Sequence, residues 1–453
     1  MTSGGGAELL EVGDRVVALA QGGEQVEAVV LRSSDTEVRV YEGEIESFSS
    51  AQSQGVGVRV IVDGRQGFAY AGTLDDDVLA ETVAEARDNA AFGEPDEFNG
   101  LAEPDGVAVA ELDLYREGLL SVPTDDKISL AQQLEAAVKA ADTRITGVES
   151  AEYVDSVGDM AVVTSTGIRT SGRETACYVA AYVLAEEDGD TQTGFGFSVG
   201  REPSDLDVAK AAADAADRAT RLLGATKPAS GRVTVIFDPY VTAQFLAILG
   251  STLSGEAVLK GRSLFADRIG ESVGAAQLTL VDDPTDTRAF TAGQTDGEGL
   301  ATRRNVLIEG GTLRQFVHNT YTGRRSGTAS TGSAIRGGFK STPGAGCQAV
   351  SLLPGELSQD ALIAQVGDGI LVQSVSGLHS GVNPVSGDFS TGAEGLRIAG
   401  GAVGEPLREF TIASTIQKML GDVAAVGADL EWLPMSAAGV SLVIGDVTIS
   451  GAG

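Results

Sequence analysis

Four segments near the N-terminus, VEAVVLRS, EVRVYEGEIESFSSAQS, GVGVRVIVDG and RQGFAYAG, constrain this chain more than any other feature. Their apolar residues recur with a period of two, which places alternate side chains on opposite faces of an extended strand. The Gly and Asp residues between them mark the turns of an antiparallel sheet. Helical spacing appears just before them in AELLEVGDRVVALAQ and just after in DDDVLAETVAEARDNAAF, whose acidic first turn suits the positive end of a helix dipole. Residues 93–126, rich in Pro, Glu and Asp, are expected to wrap the surface.

A helix over KISLAQQLEAAVKAADTR, strands over VESAEYVDSVGDMAVVTSTG and RETACYVAAYVLAEEDGDTQTGFGFSVG, and a helix over DLDVAKAAADAADRATRLLG follow. The next residues, TKPASGR, read as a linker and place a domain boundary near residue 228. The expected layout is an N-terminal domain at 1–228, a mixed sheet with helices, and a β-rich C-terminal domain at 229–453 with antiparallel sheets. Strands and helices come in blocks without strict alternation, so the predicted class is α+β.

In the second half, RVTVIFD reads as a buried strand and PYVTAQFLAILGSTLSGEAV as an apolar helix. A hairpin is expected in RRNVLIEGGTLRQFVHNTYT with its turn at Glu309–Gly311, then a long polar loop from Gly323 to Gly346. The stretch from Ser376 to Thr411 packs glycines and small polar residues between strand-like pieces. It reads as a Gly-rich β-meander whose loops could lay main chain against a ligand.

The chain has 453 residues, enough for two or three domains. Its 64 acidic and 32 basic residues give a formal net charge of −32, which repels a phosphate backbone. No basic patch offsets it, so no nucleic-acid binding is expected. Two cysteines, Cys177 and Cys347, stand apart without metal-ligand spacing and suit a reducing compartment. The start of the chain, MTSGGGAELLEV, has neither a basic nor an apolar signal region. The uncharged run Pro239–Gly255 is shorter than the roughly 20 apolar residues of a membrane span. A cytoplasmic location with no membrane contact is expected.

Familiar catalytic patterns are missing: no Gly-x-Ser-x-Gly elbow turning from strand to helix, no Ser-x-x-Lys pair, no GxxxxGK phosphate loop. Histidine is limited to His318 and His379. Asp296, Glu298, Asp388 and Glu394 sit among glycines, where a carboxylate either closes its own turn or reaches a ligand.

Four blocks, in order, resemble the TldD/PmbA family: the N-terminal EVRVYEGEIESFSSAQSQGVGVRVIVDGRQGFAYAG, then DGEGLATRRNVLIEGGTLRQFVHNTYTGRR, STGSAIRGGFKSTPGAGCQAVSLLPGELS, and SGLHSGVNPVSGDFSTGAEGLRIAGGAVGEPLREFTIAST. The resemblance implies a two-domain cytoplasmic protein acting on peptides or unfolded polypeptides. It also implies one of two kinds of subunit. The TldD-like kind carries HExxxH on a helix early in the second domain, where two histidines hold zinc and the glutamate serves as base. The TldE-like kind lacks that motif and pairs with the first.

Here LAILGS occupies the expected place, so Leu246, Ala247 and Ser251 stand at the positions of first histidine, glutamate and second histidine. The resemblance therefore points to the TldE-like kind, with no metal or catalytic residue of its own and zinc in a TldD-like HExxxH partner. The pairing is a heterodimer or a homodimer. Peptide contacts are expected from His379, Asn383, Ser386 and Asp388, with Arg303 and Arg304 as alternatives. Two other readings stay open: an autonomous enzyme using His379, Cys347 or clustered carboxylates, and a peptide-binding regulator without a peptidase partner, in line with the family's older description as a modulator of DNA gyrase.

Overall fold

The computed structural model describes residues 5–452, so the outer ends of both expected domains and the first four residues of the N-terminal segment lie outside the described residues. Helix α1 (Gly5–Val17) precedes strands β1 (Gln25–Tyr41), β2 (Glu44–Val62) and β3 (Arg65–Ala71), and α2 (Asp76–Phe92) follows. After the surface segment come α3 (Thr124–Ala141), β4 (Ile145–Thr164), β5 (Arg169–Glu187), β6 (Asp190–Gly200) and α4 (Val208–Thr220). The six strands form one sheet in the order β3-β2-β1-β4-β5-β6 with every pairing antiparallel.

The four expected segments make three strands. At Ser33–Asp35 the ladder continues on both sides, to Gln52–Ala51 and Ser53 on β2 and to Ser156–Gly158 on β4, so this polar stretch is held extended by its neighbours. The turns fall instead at Glu42–Gly43 and Asp63–Gly64, where both residues of each pair have positive φ, the geometry of a two-residue hairpin turn. The sequence GFSVG at 196–200 matches Gly-x-Ser-x-Gly, but Ser198 lies within β6 and not on a turn from strand to helix, so it makes no nucleophile elbow.

Period two decides what the sheet's faces do. Val26, Ala28 and Val30 of β1, with Val56, Val58 and Val60 of β2, pack under α1 and α2, while Val38, Val40 and residues of β4 and β5 pack under α3 and α4. Glu27 and Val29 point to the other face. There Val29 meets Leu300 from the second half of the chain.

The second half opens with β7 (Gly231–Phe237), α5 (Pro239–Thr252) and α6 (Gly255–Leu259). A small sheet is built from β8 (Leu280–Asp282), β9 (Asn305–Glu309), β10 (Thr312–Leu313), and, after α7 (Thr320–Arg325) and the two-residue strands β11 (Ala334–Ile335) and β12 (Gly344–Ala345), β13 (Val350–Leu352). The larger sheet takes β14 (Gly369–Ser376), β15 (Asp388–Ala399), β16 (Ala402–Thr415), β17 (Val423–Val426) and β20 (Leu442–Ser450) with β7. Its order is β16-β15-β14-β7-β20-β17. Between them in the chain lie α8 (Gln359–Val366), α9 (Leu378–Gly381), α10 (Ile416–Gly421), β18 (Glu431–Trp432) and β19 (Ala438–Gly439). The class is α+β as expected. In detail, among the ladders between strands of the described residues, the parallel one joins β7 to β14 in this sheet, and the mixed character foreseen for the first sheet sits here.

Helix α5 starts where Asp238 accepts the Val241 N–H (2.9 Å) and Pro239 supplies a preset φ at the first position. Phe245, Leu246 and Leu249 bury into a core with Phe237, Leu307 and Phe389. The Ser376–Thr411 stretch is a meander for most of its length, with β15 and β16 paired through a turn at Gly400–Gly401.

Close backbone contact sets the helix-to-sheet distance at the edges of the first sheet. A Cβ on Gly67 of β3 would stand 2.0 Å from the Ala86 carbonyl of α2. Gly67→Ala is expected to lower stability by about 3 kcal/mol through forced displacement of α2. Gly22→Ala, in open space, is the control. Urea unfolding midpoints of the two variants check this.

Candidate functional site

Six separated pieces of chain surround a chamber of about 530 Å³: Arg59 on β2, Gln66 on β3, Asn99 in the surface segment, α6 with Lys260, the turn of chain around α7, and Thr342 to Gly344 leading into β12. A second groove of about 420 Å³ adjoins it, sharing Glu256 and Lys260, and runs along α5 to Ile335, Cys347 and Pro384. Together they make one cleft at the junction of the first sheet with the second half.

The floor of the cleft is a buried charge cluster. Arg59, 4% exposed, donates through Nε and Nη2 to Glu27 (3.2 and 2.7 Å) and lies 3.6 Å from Glu298. Arg336 also pairs with Glu27, and donates to the carbonyls of Gly297 (2.6 Å) and Ser341 (2.9 Å). Glu298 accepts the Thr320 N–H (2.9 Å) and hydroxyl (2.7 Å). Asp296 accepts the N–H groups of Glu298, Leu300 and Ala334. Burial pulls the Glu27 carboxyl upward, but Arg336 and Arg59 outweigh it and hold it below the usual range. Burial, then the charge of Glu298, pushes Asp296 up to about 7.

On the groove side, Ala247 and Ser251 line the wall, while Leu246 is 1% exposed and belongs to the core. Ser251 Oγ donates back to the Ile248 carbonyl (2.6 Å). Cys347 touches the same stretch of helix, its thiol donating to the Gly250 carbonyl (3.5 Å), and burial raises it well above the ordinary thiol range. Glu256 pairs with Lys260 and accepts the Ala345 N–H (3.0 Å).

The remaining expected residues are dispersed. Asn383, Ser386 and Asp388 close one exposed turn. Asn383 Oδ1 accepts the N–H groups of Val385 (2.9 Å) and Ser386 (3.2 Å), and Ser386 Oγ donates to Asp388 (2.7 Å). This is turn chemistry, and only the neighbouring Pro384 reaches the groove. His379 stands exposed on α9 with no hydrogen bond among the described residues. Arg303 is tied to Asp105 (2.5 Å) and Arg304 lies 3.8 Å from Asp283; neither lines the chamber or the groove. Asp296 and Glu298 share the buried cluster, whereas Glu394 lies on β15. His318, 6% exposed, contacts Thr322 (3.2 Å) and packs on Gly255.

Family models match along nearly the whole chain: the PmbA/TldA metallopeptidase domain 1 at residues 26–90, the central domain at 117–223 and the C-terminal domain at 230–451. The chain belongs to the PmbA/TldD family. It is 29% identical over 408 residues to the metalloprotease PmbA of Escherichia coli O157:H7, covering 89% of this chain and 88% of that one. A PmbA homologue of Haemophilus influenzae is 27% identical over 426 residues, 94% and 92% of the two chains. The crystal structure of TldE from Thermococcus kodakarensis superposes with a TM-score of 0.88 at 25% identity, covering 98% of this chain and 99% of that one.

The zinc that the PmbA/TldD name implies does not fit the residues at α5. Leu246 and Ala247 offer hydrocarbon, the neutral hydroxyl of Ser251 is a poor zinc ligand, and the nearby thiol is held protonated. Among the described residues no three His, Cys, Asp or Glu side chains converge as ligands. Also among them, no helix is long and apolar enough to cross a membrane.

Glu27→Gln should cost about 3–5 kcal/mol, because Arg59 and Arg336 would be left buried against a neutral amide. Equilibrium urea unfolding reads this. The raised groups, Asp296 to about 7 and Asp238 and Asp282 to about 6, hold protons in the folded state that the unfolded chain has already released. Folding then takes up protons between the unfolded carboxyl range near ~4 and pH ~7, so stability falls as pH rises through that window. Unfolding midpoints are expected to be higher at pH 5 than at pH 7.5.

Proposed function

We propose that this chain is the non-catalytic, TldE-like subunit of a PmbA/TldD-type metallopeptidase. It holds an extended peptide or unfolded polypeptide in its cleft, and a TldD-like HExxxH subunit supplies zinc and the cutting step. The observation that carries this reading is the wall of the groove: the helix that would present HExxxH presents Ala247 and Ser251 and buries Leu246. A groove remains beside that wall, bordered by the short ladder β11–β12, where main-chain groups suit an extended peptide with little side-chain preference.

The alternative of an autonomous site draws no support from the geometry of its candidate groups. The Cys347 thiol is pushed up by burial, away from the thiolate a nucleophile needs, and His379 lines neither the chamber nor the groove. The cytoplasm is the compartment this reading assigns.

The test is zinc content by mass spectrometry and cleavage of an unfolded polypeptide, for the purified chain alone and mixed with an HExxxH relative from the same organism. The expected result is no stoichiometric zinc and no cleavage alone, with chelator-sensitive cleavage on mixing that exceeds the relative's own rate. Metal-dependent cleavage by this chain alone would sink the reading.

A further inference from the structure

The chamber beside the groove is lined by Arg59, Lys260 and Arg325 against the single carboxylate Glu256. That is an inversion of the chain's composition, in which acids outnumber bases two to one. Glu256 is already engaged by Lys260 and by the Ala345 N–H, so it has little charge to set against an incoming anion.

Two arginines have nitrogens to spare. Arg59 commits Nε and Nη2 to Glu27, and its Nη1 has no hydrogen-bond partner among the described residues. It is a 4% exposed guanidinium on the chamber wall with one donor group left to offer. Arg325 is held in place by Asp96 (3.4 Å) and the Tyr321 hydroxyl (3.2 Å), both through Nη1, with Phe98 5.4 Å beneath its guanidinium. Its Nε and Nη2 are without partners among the described residues, and they form one edge of the planar fork that matches a carboxylate. The Gln66 amide, on the same wall, is likewise unbonded among the described residues. A volume of about 530 Å³ falls within the size of small-ligand sites.

Two of the main-chain donors that phosphate sites exploit are already taken here. At the start of α7 the Thr320 N–H goes to Glu298 and the Thr322 N–H to Asn319. The side-chain donors on the chamber wall, with the free guanidinium edge of Arg325 among them, suit a carboxylate.

We propose that this chamber is a carboxylate subsite of the cleft: it seats a peptide's C-terminal carboxylate, or an acidic side chain at the peptide's last position, against Arg325 and Arg59 Nη1 while the preceding residues run along the adjoining groove. This rests on the peptide-holding reading above.

The experiment is fluorescence anisotropy of the full chain with N-terminally labelled, unstructured peptides lacking internal acids. Three forms are compared: free C-terminal acid, C-terminal amide, and an amide ending in Glu. The free acid is expected to bind about tenfold more tightly than the plain amide, the size of one charge-assisted hydrogen-bonded contact. Tight binding of the Glu-ending amide would assign the subsite to carboxylates generally, and weak binding would restrict it to the terminus. In Arg325→Gln the acid should lose most of its advantage over the amide. Arg59 is left intact because it also holds the buried cluster.

Equal affinity of acid and amide for the unmodified chain would overturn the subsite while leaving peptide holding in place. An advantage for the acid that persists undiminished in Arg325→Gln would also overturn it. Failure of every peptide to bind would overturn both.

Discussion

Glu27 is the residue on which the junction of the two halves depends. It is 1% exposed and takes two guanidinium groups, one from β2 of its own sheet and one from the loop carrying Arg336. Taking charges out of water costs several kcal/mol per ion unless partners and hydrogen bonds restore the loss. Here the restoration needs groups from both halves at once: Arg59 and Glu27 from the first sheet, and Glu298, Arg336 and the Gly297 and Ser341 carbonyls from the second half. Neither half satisfies these charges alone, so the halves close on each other in one register. The chamber inherits that register, since Arg59 forms both the cluster and part of its wall.

The same junction explains why the cleft persists beside α5. Leu246, Phe245 and Leu249 anchor the helix in the second half's core, and Gly250 lets Cys347 and Val350 approach to within 3.0–3.6 Å of where a Cβ would stand. The helix is therefore fixed from behind and from the side, with Ala247 and Ser251 left facing open space. Small side chains at these two positions keep the groove wide, which a binding role can use and a zinc site could not.

Much of the scaffold was legible because period two and helical spacing report burial directly. Val26, Ala28 and Val30 were readable as a core face, and α5 as an apolar helix, whereas its Asp238 cap reads in the sequence as the end of the preceding strand. The break read at Ser34–Thr36 was not a break, because cross-strand pairing on two sides outweighs a weak local β preference. Alternation also hides the chamber. Glu27 and Arg59 fall at the polar positions of their strands and read as a solvated face, yet that face is covered by Leu300 and Arg336 from some 240–310 residues away. The expected place of HExxxH pointed to Ala247 and Ser251, which line the groove, whereas Asn383, Ser386 and Asp388 shared a family block and turned out to satisfy one another.

Net charge is a poor guide to what such a cleft can bind. At physiological salt the Debye length is about 8 Å, so the charge of −32 spread over the surface is largely screened from a ligand inside the junction. What decides is which cations still have donors. Arg303 is tied to Asp105 and Ala301, Arg304 lies beside Asp283, and neither lines the chamber or the groove, so adjacency in sequence makes no anion site there. Among the described residues, Arg325 reaches Asp96 through one nitrogen at 3.4 Å and keeps two others, and Arg59 keeps one although it is buried. An acidic protein can thus repel anions at long range and still favour one at a single point, where the fold leaves guanidinium nitrogens without partners.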